Sequence, residues 1–306
     1  LNYFIVDGMN LAFRSHYAFQ RLSTPGGVQS GCVYGFLAIM RSLKLKHRDY
    51  QFVIAWDSPA KRKKELYTDY KANRVSFQVP EQVQDIRKIF SSVNVHQHDC
   101  PGEEADDIIA TLVELNSKDG NQLYIYSSDK DLMQLVENGK VIMVRPQFGA
   151  KPAKYFDEEA VKDEMGVSPK DLNCFLAFRG DTSDNIPGVS RVKSSMISSL
   201  IEKYKTPGDI YMNLHNEKMT DFQKESFKNF EKQIYVNYSL TSLDKKLELN
   251  SVLGTPNVNQ IEEILNKYEI KAFTAEAYIS IFERNEQFLN RTSQPVENYS
   301  LFEKEA

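Results

Sequence analysis

The chain has 306 residues, of which 41% are hydrophobic and 26% charged, and a net charge of −4. That is the composition of an ordinary globular protein of one large or two smaller domains, and it argues against a surface coated in basic charge without excluding nucleic acid, because patches matter more than totals. Cys32, Cys100 and Cys174 are few and scattered, which suits a reducing compartment and gives no disulfide frame; with no signal peptide or membrane-length apolar run, a cytoplasmic protein is expected.

Tyr3-Phe4-Ile5-Val6 reads as a short apolar strand ending at Asp7-Gly8. Residues 31–45 read as a helix with Val33, Phe36, Leu37 and Met40 on one side. Phe52 to Trp56 is a second strand, ending at Asp57. Lys61-Arg62-Lys63-Lys64 then leads into a tyrosine-bearing stretch as far as Arg74. Such a run is either a solvated helix face or a track for a single-stranded backbone. A helix is expected near 81–92. His96 and His98 alternate as on an exposed strand face, with no third metal ligand nearby in sequence.

Glu104, Asp106 and Asp107 open the next helix, whose stripe is Ala105, Ile108, Ile109 and Leu112 at i, i+3, i+4 and i+7. Acids in a first helical turn suit the dipole. Residues 123–128 form a third strand, ending at Asp129 with Asp131 beyond. Three strands that each end in Asp and alternate with helices imply an α/β fold with a mainly parallel sheet, flanked by helices. After Asp157 the pattern is helical, at about 157–165, 169–178, 194–204, 221–238 and 259–268. Asp181 and Asp184 lie in a turn-rich segment ending Pro187-Gly188, and a linker is expected around 253–256. From Arg291 the chain reads as a polar tail.

No glycine phosphate loop, Rossmann fingerprint, His-Glu-x-x-His helix or nucleophile elbow is present. The chemistry therefore rests on acids. Ligand sites in open α/β sheets form at the carboxyl ends of strands, and carboxylates gathered there repel unless cations lie between them. Oxygen-only ligands suit Mg²⁺ or Mn²⁺, and two or more ions in such a cluster suit phosphodiester hydrolysis. Lys71, Arg74 and Arg14 are candidates to draw in the phosphate.

Six runs occur together and in order: Ile5-Val6-Asp7-Gly8 with Asn10 to Arg14, Val33-Tyr34-Gly35-Phe36, Tyr70-Lys71-Ala72-Asn73-Arg74, Glu104-Ala105-Asp106-Asp107, Asp129-Lys130-Asp131-Leu132, and Gly180 to Gly188. On these the chain resembles the 5′-nuclease (flap endonuclease) superfamily. It is similar to the 5′→3′ exonuclease domain of bacterial DNA polymerase I and to stand-alone phage 5′ nucleases, the free-standing form in particular. The resemblance implies a PIN-like nuclease core at 1–156 with a helical arch at about 60–80. It implies a helical DNA-binding region at 157–290, with a helix-hairpin-helix-like segment at about 176–204, and a flexible tail at 291–306. Glu104, Asp106, Asp107 and Asp129 would hold the tighter metal. Asp7, Asp131, Asp181 and Asp184 would shape a looser site, with Asp57 between. Lys71 and Arg74 would contact the scissile phosphate from the arch base, Tyr70 would stack on a terminal base, and Lys63, where many relatives carry Arg, would meet DNA.

One departure concerns the hairpin. Relatives follow Pro-Gly with Gly-hydrophobic-Gly, whose amides grip duplex phosphates; this chain has Val189-Ser190-Arg191-Val192-Lys193. Arg191 and Lys193 would replace amides with side-chain charge, or simply face solvent. The tail run Asn298-Tyr299-Ser300-Leu301-Phe302 resembles a bacterial clamp-binding peptide, so a sliding clamp is an expected partner. The expected activity is that of a metal-dependent monomeric nuclease cutting 5′ flaps and ends of DNA, or RNA–DNA hybrids, in replication and repair. The competing readings are a non-catalytic DNA-junction binder on the same fold and a PIN-type ribonuclease. The first has no use for nine mutually repelling acids; the second is disfavoured by the 60–80 and 181–188 segments.

Overall fold

The computed structural model describes residues 2–73, 80–93, 95–117, 120–147 and 151–289. In chain order, β1 is Asn2–Asp7, α1 Gly8–Ala18, α2 Gly31–Lys46, β2 Tyr50–Ala55, α3 Arg62–Leu66, α4 Pro80–Ser91, β3 His96–Asp99, α5 Ala105–Asn116, β4 Leu123–Tyr126, β5 Val141–Arg145 and β6 Lys154–Phe156. There follow α6 Glu158–Met165, α7 Leu172–Arg179, α8 Ser194–Tyr204, α9 Pro207–Asn213, α10 Asp221–Thr241, β7 Asn250–Val252, α11 Val258–Lys267 and α12 Ala275–Leu289.

The strands form one sheet in the order β6-β5-β4-β1-β2-β3-β7. The five inner strands run parallel; β6 and β7 are antiparallel edges. Alternate residues feed opposite faces. Phe4, Val6, Phe52 and Ile54 pack with Phe36, Met40 and Phe90, whereas Ile5, Val53 and Ile125 pack with Ile108, Ile109 and Phe175. The chain steps outward from β1 to β2 and β3, then returns to place β4 on the other side of β1. That reversal is the switch point where such sheets leave a crevice at their carboxyl ends. Register pairs Asp7 with Ala55 and Val6 with Tyr126, so Asp7, Asp57 and Asp129 emerge at one edge.

The expected strands and helices of the first 130 residues are present, and 253–257 is the irregular connection expected before α11. It is tightly held: β7 just before it adds to the sheet, and Gly254 packs so closely on Ser91 that a Cβ would lie 2.0 Å from its carbonyl oxygen. Ile261, Tyr268 and Tyr278 of α11, its C-terminal end and α12 lie in the same core cluster as Phe36 and Phe90. One expectation changes. His98 does not lie on an exposed face; β7 covers β3, leaving His98 4% exposed. Burial, with His96 beside it, lowers its pKa to about 4, so it is a neutral interior residue. Among the described residues no helix is long and apolar enough to cross a membrane.

Candidate active site

Each acid is presented by a local device that the sequence builds. Asp7 caps α1: its Oδ1 accepts the Asn10 N–H at 2.9 Å, and its Oδ2 accepts the Ser127 hydroxyl at 2.8 Å. Ser127 in turn accepts the Asp129 N–H at 3.1 Å, which ties the ends of β1 and β4 together. Asp57 accepts the Ala105 N–H at 3.0 Å, one of the unsatisfied donors at the start of α5. Asp129 caps a short 3₁₀ turn by accepting the Asp131 N–H at 3.0 Å. Asp181 accepts both the backbone N–H and the hydroxyl of Ser183, each at 2.7 Å.

The 180–188 turn is fixed from both sides. A Cβ on Gly188 would sit 2.0 Å from the Arg179 carbonyl oxygen, so only glycine allows that approach. Buried Asn237 on α10 donates to the carbonyls of Ala177 and Pro187 at 2.8 and 2.7 Å. The Lys71 N–H donates to the Asp184 carbonyl at 2.9 Å, Asn73 to Thr182 at 2.9 Å, and Asn185 to Asp69 at 2.9 Å. The 67–73 segment and the second acid pair are thereby one assembly.

The acids converge closely enough to repel one another. Asp57 acts on Asp7, and Asp106 and Glu104 act on Asp57. Asp131 feels Asp129, Asp106, Asp184 and Asp181. Burial, then Asp57, pushes Asp7 up to about 8. Burial against the cleft walls, then the neighbouring carboxylates, also push up Asp129 and Asp131. Glu104 goes the other way. Burial would raise it, but the ammonium groups of Lys63 and Lys71 hold it at about 2.

The cluster thus has two halves. Around Glu104, Asp106 and Asp107 the charge is already met: Lys63 Nζ lies 3.1, 2.9 and 3.0 Å from these three, and Lys71 Nζ pairs with Glu104. Asp129, Asp131 and Asp181 form no ion pair among the described residues, and they line a pocket of about 260 Å³ with Asn10 and Arg179. Among the described residues no three acids stand close enough to hold an ion as placed. An oxygen-only donor set with raised proton affinity nevertheless fits a hard divalent cation, which would relieve the repulsion that now favours protons.

A pH dependence follows. Asp7 is raised to about 8 and Asp107, mainly by burial and then by Asp106, to about 6. Both folded values exceed the ordinary carboxylate value, so the fold binds these protons more tightly than the unfolded chain. Their stabilisation is complete below about pH 4 and is lost as pH rises through about 6 and then about 8. Glu104, lowered to about 2, is ionised throughout that window and leaves its slope unchanged. Below about pH 6.5 the lowered His98 acts in the opposite sense, so in chelator the melting temperature should fall as pH rises from about 6.5 to about 8, and Mg²⁺ should recover most at the upper end. A flat profile in chelator would contradict the crowding.

Sequence profiles of known families match the chain over most of its length. The 5′-3′ exonuclease N-terminal resolvase-like domain matches residues 2–166, and the 5′-3′ exonuclease C-terminal SAM fold matches 167–266. The chain belongs to the 5′-3′ exonuclease family. It is 33% identical over 281 residues to a 5′-3′ exonuclease of Aquifex aeolicus, covering 89% of this chain and 94% of that one. It is 28% identical over 279 residues to DNA polymerase I of Streptococcus pneumoniae, covering 87% of this chain and 32% of the polymerase. The fold is similar to that of the phage T5 flap endonuclease in a complex with DNA and metal ions. The TM-score is 0.66 at 18% identity, over 94% of this chain and all of the other.

Several expected site residues take other places. Lys63 is 2% exposed and enclosed by three carboxylates, so it is an internal counter-ion and does not reach DNA. Tyr70 is buried; its hydroxyl donates to Glu104 at 2.8 Å and contacts Asp184 at 3.3 Å, which leaves no ring face for a terminal base. Asp107 is 0% exposed and turned from the open pocket: Oδ1 accepts the Asp244 N–H at 2.7 Å, and Oδ2 faces Lys63 and Arg62 at 3.0 and 3.2 Å. Arg14 donates to the Gln147 carbonyl near the cleft. Arg191 has φ 55°, the left-handed backbone that a glycine would adopt freely, and its guanidinium covers the Phe222 ring at 4.7 Å; Lys193 is exposed at the start of α8. Arg74 and the 298–302 run lie outside the described residues. Ser127 and Asp244 were not expected; in the sequence they are ordinary loop polar residues, and only the fold brings Ser127 to Asp7 and the Asp244 N–H to Asp107.

Removing Lys63's charge tests its placement. Lys63→Met should destabilise the metal-free protein by about 3–5 kcal/mol, the scale of breaking one partner out of a buried ion cluster. It should also raise the affinity for Mg²⁺ in calorimetric titration, since the competing cation is gone. Unchanged stability together with unchanged metal affinity would mean that Lys63 does not sit among these acids.

Proposed function

We propose that the chain is a divalent-metal-dependent, structure-selective 5′ nuclease that hydrolyses phosphodiesters at DNA flaps and 5′ ends, with Mg²⁺ or Mn²⁺ as the cation. The observation that carries this is the convergence of Asp7, Asp57, Glu104, Asp106, Asp129, Asp131, Asp181 and Asp184 from separate segments onto one crevice, with Lys71 beside them. Bound there, divalent ions would activate water and steady the attacking and leaving oxygens. The chain's own part is positioning. Asp129, Asp131 and Asp181 offer oxygens at the open pocket. Lys71 meets a phosphate oxygen, and Tyr70 holds Glu104 and Asp184 in place. The likeness of the fold to the phage T5 flap endonuclease, solved with DNA and metal ions, supports both ligands. RNA–DNA hybrids and clamp recruitment through 298–302 extend the same reading.

The test is a flap substrate labelled at its 5′ end, incubated with Mg²⁺, with Mn²⁺ and with chelator. Cleavage with either metal and none in chelator is expected. Binding without cleavage under all three conditions would instead favour a junction-binding protein.

A further inference from the structure

A second groove, sharing no lining residue with the acid pocket, lies at the foot of the arch segment. Its volume is about 460 Å³, and Arg62, Ser239, Ser242, Lys245 and Lys246 line it. The loop that forms its floor is pinned to the start of α5. The Asp244 N–H donates to Asp107 at 2.7 Å, and Thr111 accepts the Leu247 N–H and donates to the Asp244 carbonyl, both at 3.3 Å. Arg62 spans from the groove to the acids, pairing with Glu103 at 3.0 Å and Asp107 at 3.2 Å. Asp244 is the one acid on the lining, and its carboxylate is turned to the Lys246 N–H at 3.0 Å. Lys245 and Lys246 are exposed and pair with no described acid.

The groove continues along α10. The helix buries Phe227, Phe230, Ile234, Asn237 and Thr241, and this leaves Lys228, Lys232, Tyr235 and Ser239 at i, i+4, i+7 and i+11 on its open side. That stripe is about 16 Å long at 1.5 Å per residue. Tyr235 is 52% exposed and Tyr238 38%. Lysines alone would be a solvated face. Lysines interleaved with open tyrosine rings are what unpaired bases use, since a base buried in a duplex has no ring face to offer.

We propose that this groove and the α10 stripe hold the single-stranded 5′ arm of the substrate. The inference rests on the nuclease reading for its ligand, a nucleic-acid single strand, but on different residues. Arg62 links the two: it lines the groove and pairs with Asp107, the last acid of the 104–107 run, whereas Asp129, Asp131 and Asp181 line the separate acid pocket. A strand crossing the acids therefore meets cations and rings next.

The experiment measures binding in chelator, so no cutting occurs, to a nicked duplex with a long single-stranded 5′ arm and to the same duplex without it. For the armed substrate, Lys245→Ala/Lys246→Ala should lower the slope of log affinity against log salt by about 1.4, two single-strand phosphates at about 0.7 each. Lys245→Arg/Lys246→Arg should keep the wild-type slope. Tyr235→Ala should weaken binding of the armed substrate by about five- to a hundredfold without changing that slope. Binding of the armless duplex should stay at the wild-type value for all three. Equal losses on both substrates would assign the groove to duplex, and no loss on either would make it a solvated surface; both overturn the proposal. Failure of the nuclease reading shows separately, as absence of metal-dependent cleavage by the wild-type protein.

Discussion

Asp129→Ala should cut a labelled flap at least about 10²–10³ times more slowly than wild type, the scale of losing one positioned electrostatic group, while binding the flap as tightly or more tightly. Asp129 stands just past β4 at the switch point, lines the open pocket and forms no ion pair with a described residue. Glu104 and Asp106 have their charge met by Lys63 and Lys71, and Asp107 is spent on Asp244, Arg62 and Lys63. Asp129 is therefore a carboxylate with charge to offer a cation, and its structural duty is confined to capping the 3₁₀ turn. Its removal also lessens repulsion toward phosphate, which is why binding is spared. Two measurements decide the matter: single-turnover cleavage in Mg²⁺ and flap affinity in chelator. Wild-type cleavage by the variant would remove the metal-nuclease reading, and lost affinity with lost folding would make Asp129 structural.

Much of this site is legible in the sequence because parallel strands have a simple rule. Asp7, Asp57 and Asp129 each follow a short apolar run, and parallel strands deliver their ends to one edge. The helix start at Glu104 is equally local. What the sequence hides is direction. Lys61 to Lys64 reads as one basic run, yet α3 turns Lys63 inward to the acids and Arg62 sideways to Glu103, leaving Lys61 and Lys64 outside. Tyr70 looks like a stacking platform until Glu104 and Asp184 claim its hydroxyl. β7 is three exposed residues with no strand pattern of their own, so only pairing with β3 makes them a strand. It is this tertiary pairing that brings α11 and α12 back onto the nuclease core.

Lys71→Ala should lower turnover by about 10²-fold, again the scale of a lost electrostatic stabiliser, with little change in flap affinity. Lys71 is held with unusual care. It is a non-glycine residue at φ 55°, a backbone state that costs about 1–3 kcal/mol and persists where the surroundings dictate it. Its N–H is fixed by the Asp184 carbonyl, and its ammonium pairs with Glu104, lies 3.6 Å from Asp184 and sits 4.9 Å from the centre of the Tyr70 ring. Alanine adopts the same backbone no less easily, so the variant removes the charge without new strain. Lys61 and Lys64, exposed on the neighbouring helix, give the contrast. Changing both to alanine should leave turnover at saturating DNA near wild type but weaken binding and flatten its salt dependence. Tyr70→Phe refines the division, because a residue that orients Glu104 and Asp184 should affect kcat, whereas a residue that stacks on a base should affect KM and tolerate phenylalanine. If Lys71→Ala and the Lys61/Lys64 pair lowered turnover equally at saturating DNA, Lys71 would be one more strand contact and the stabilising charge would have to come from elsewhere in the cleft.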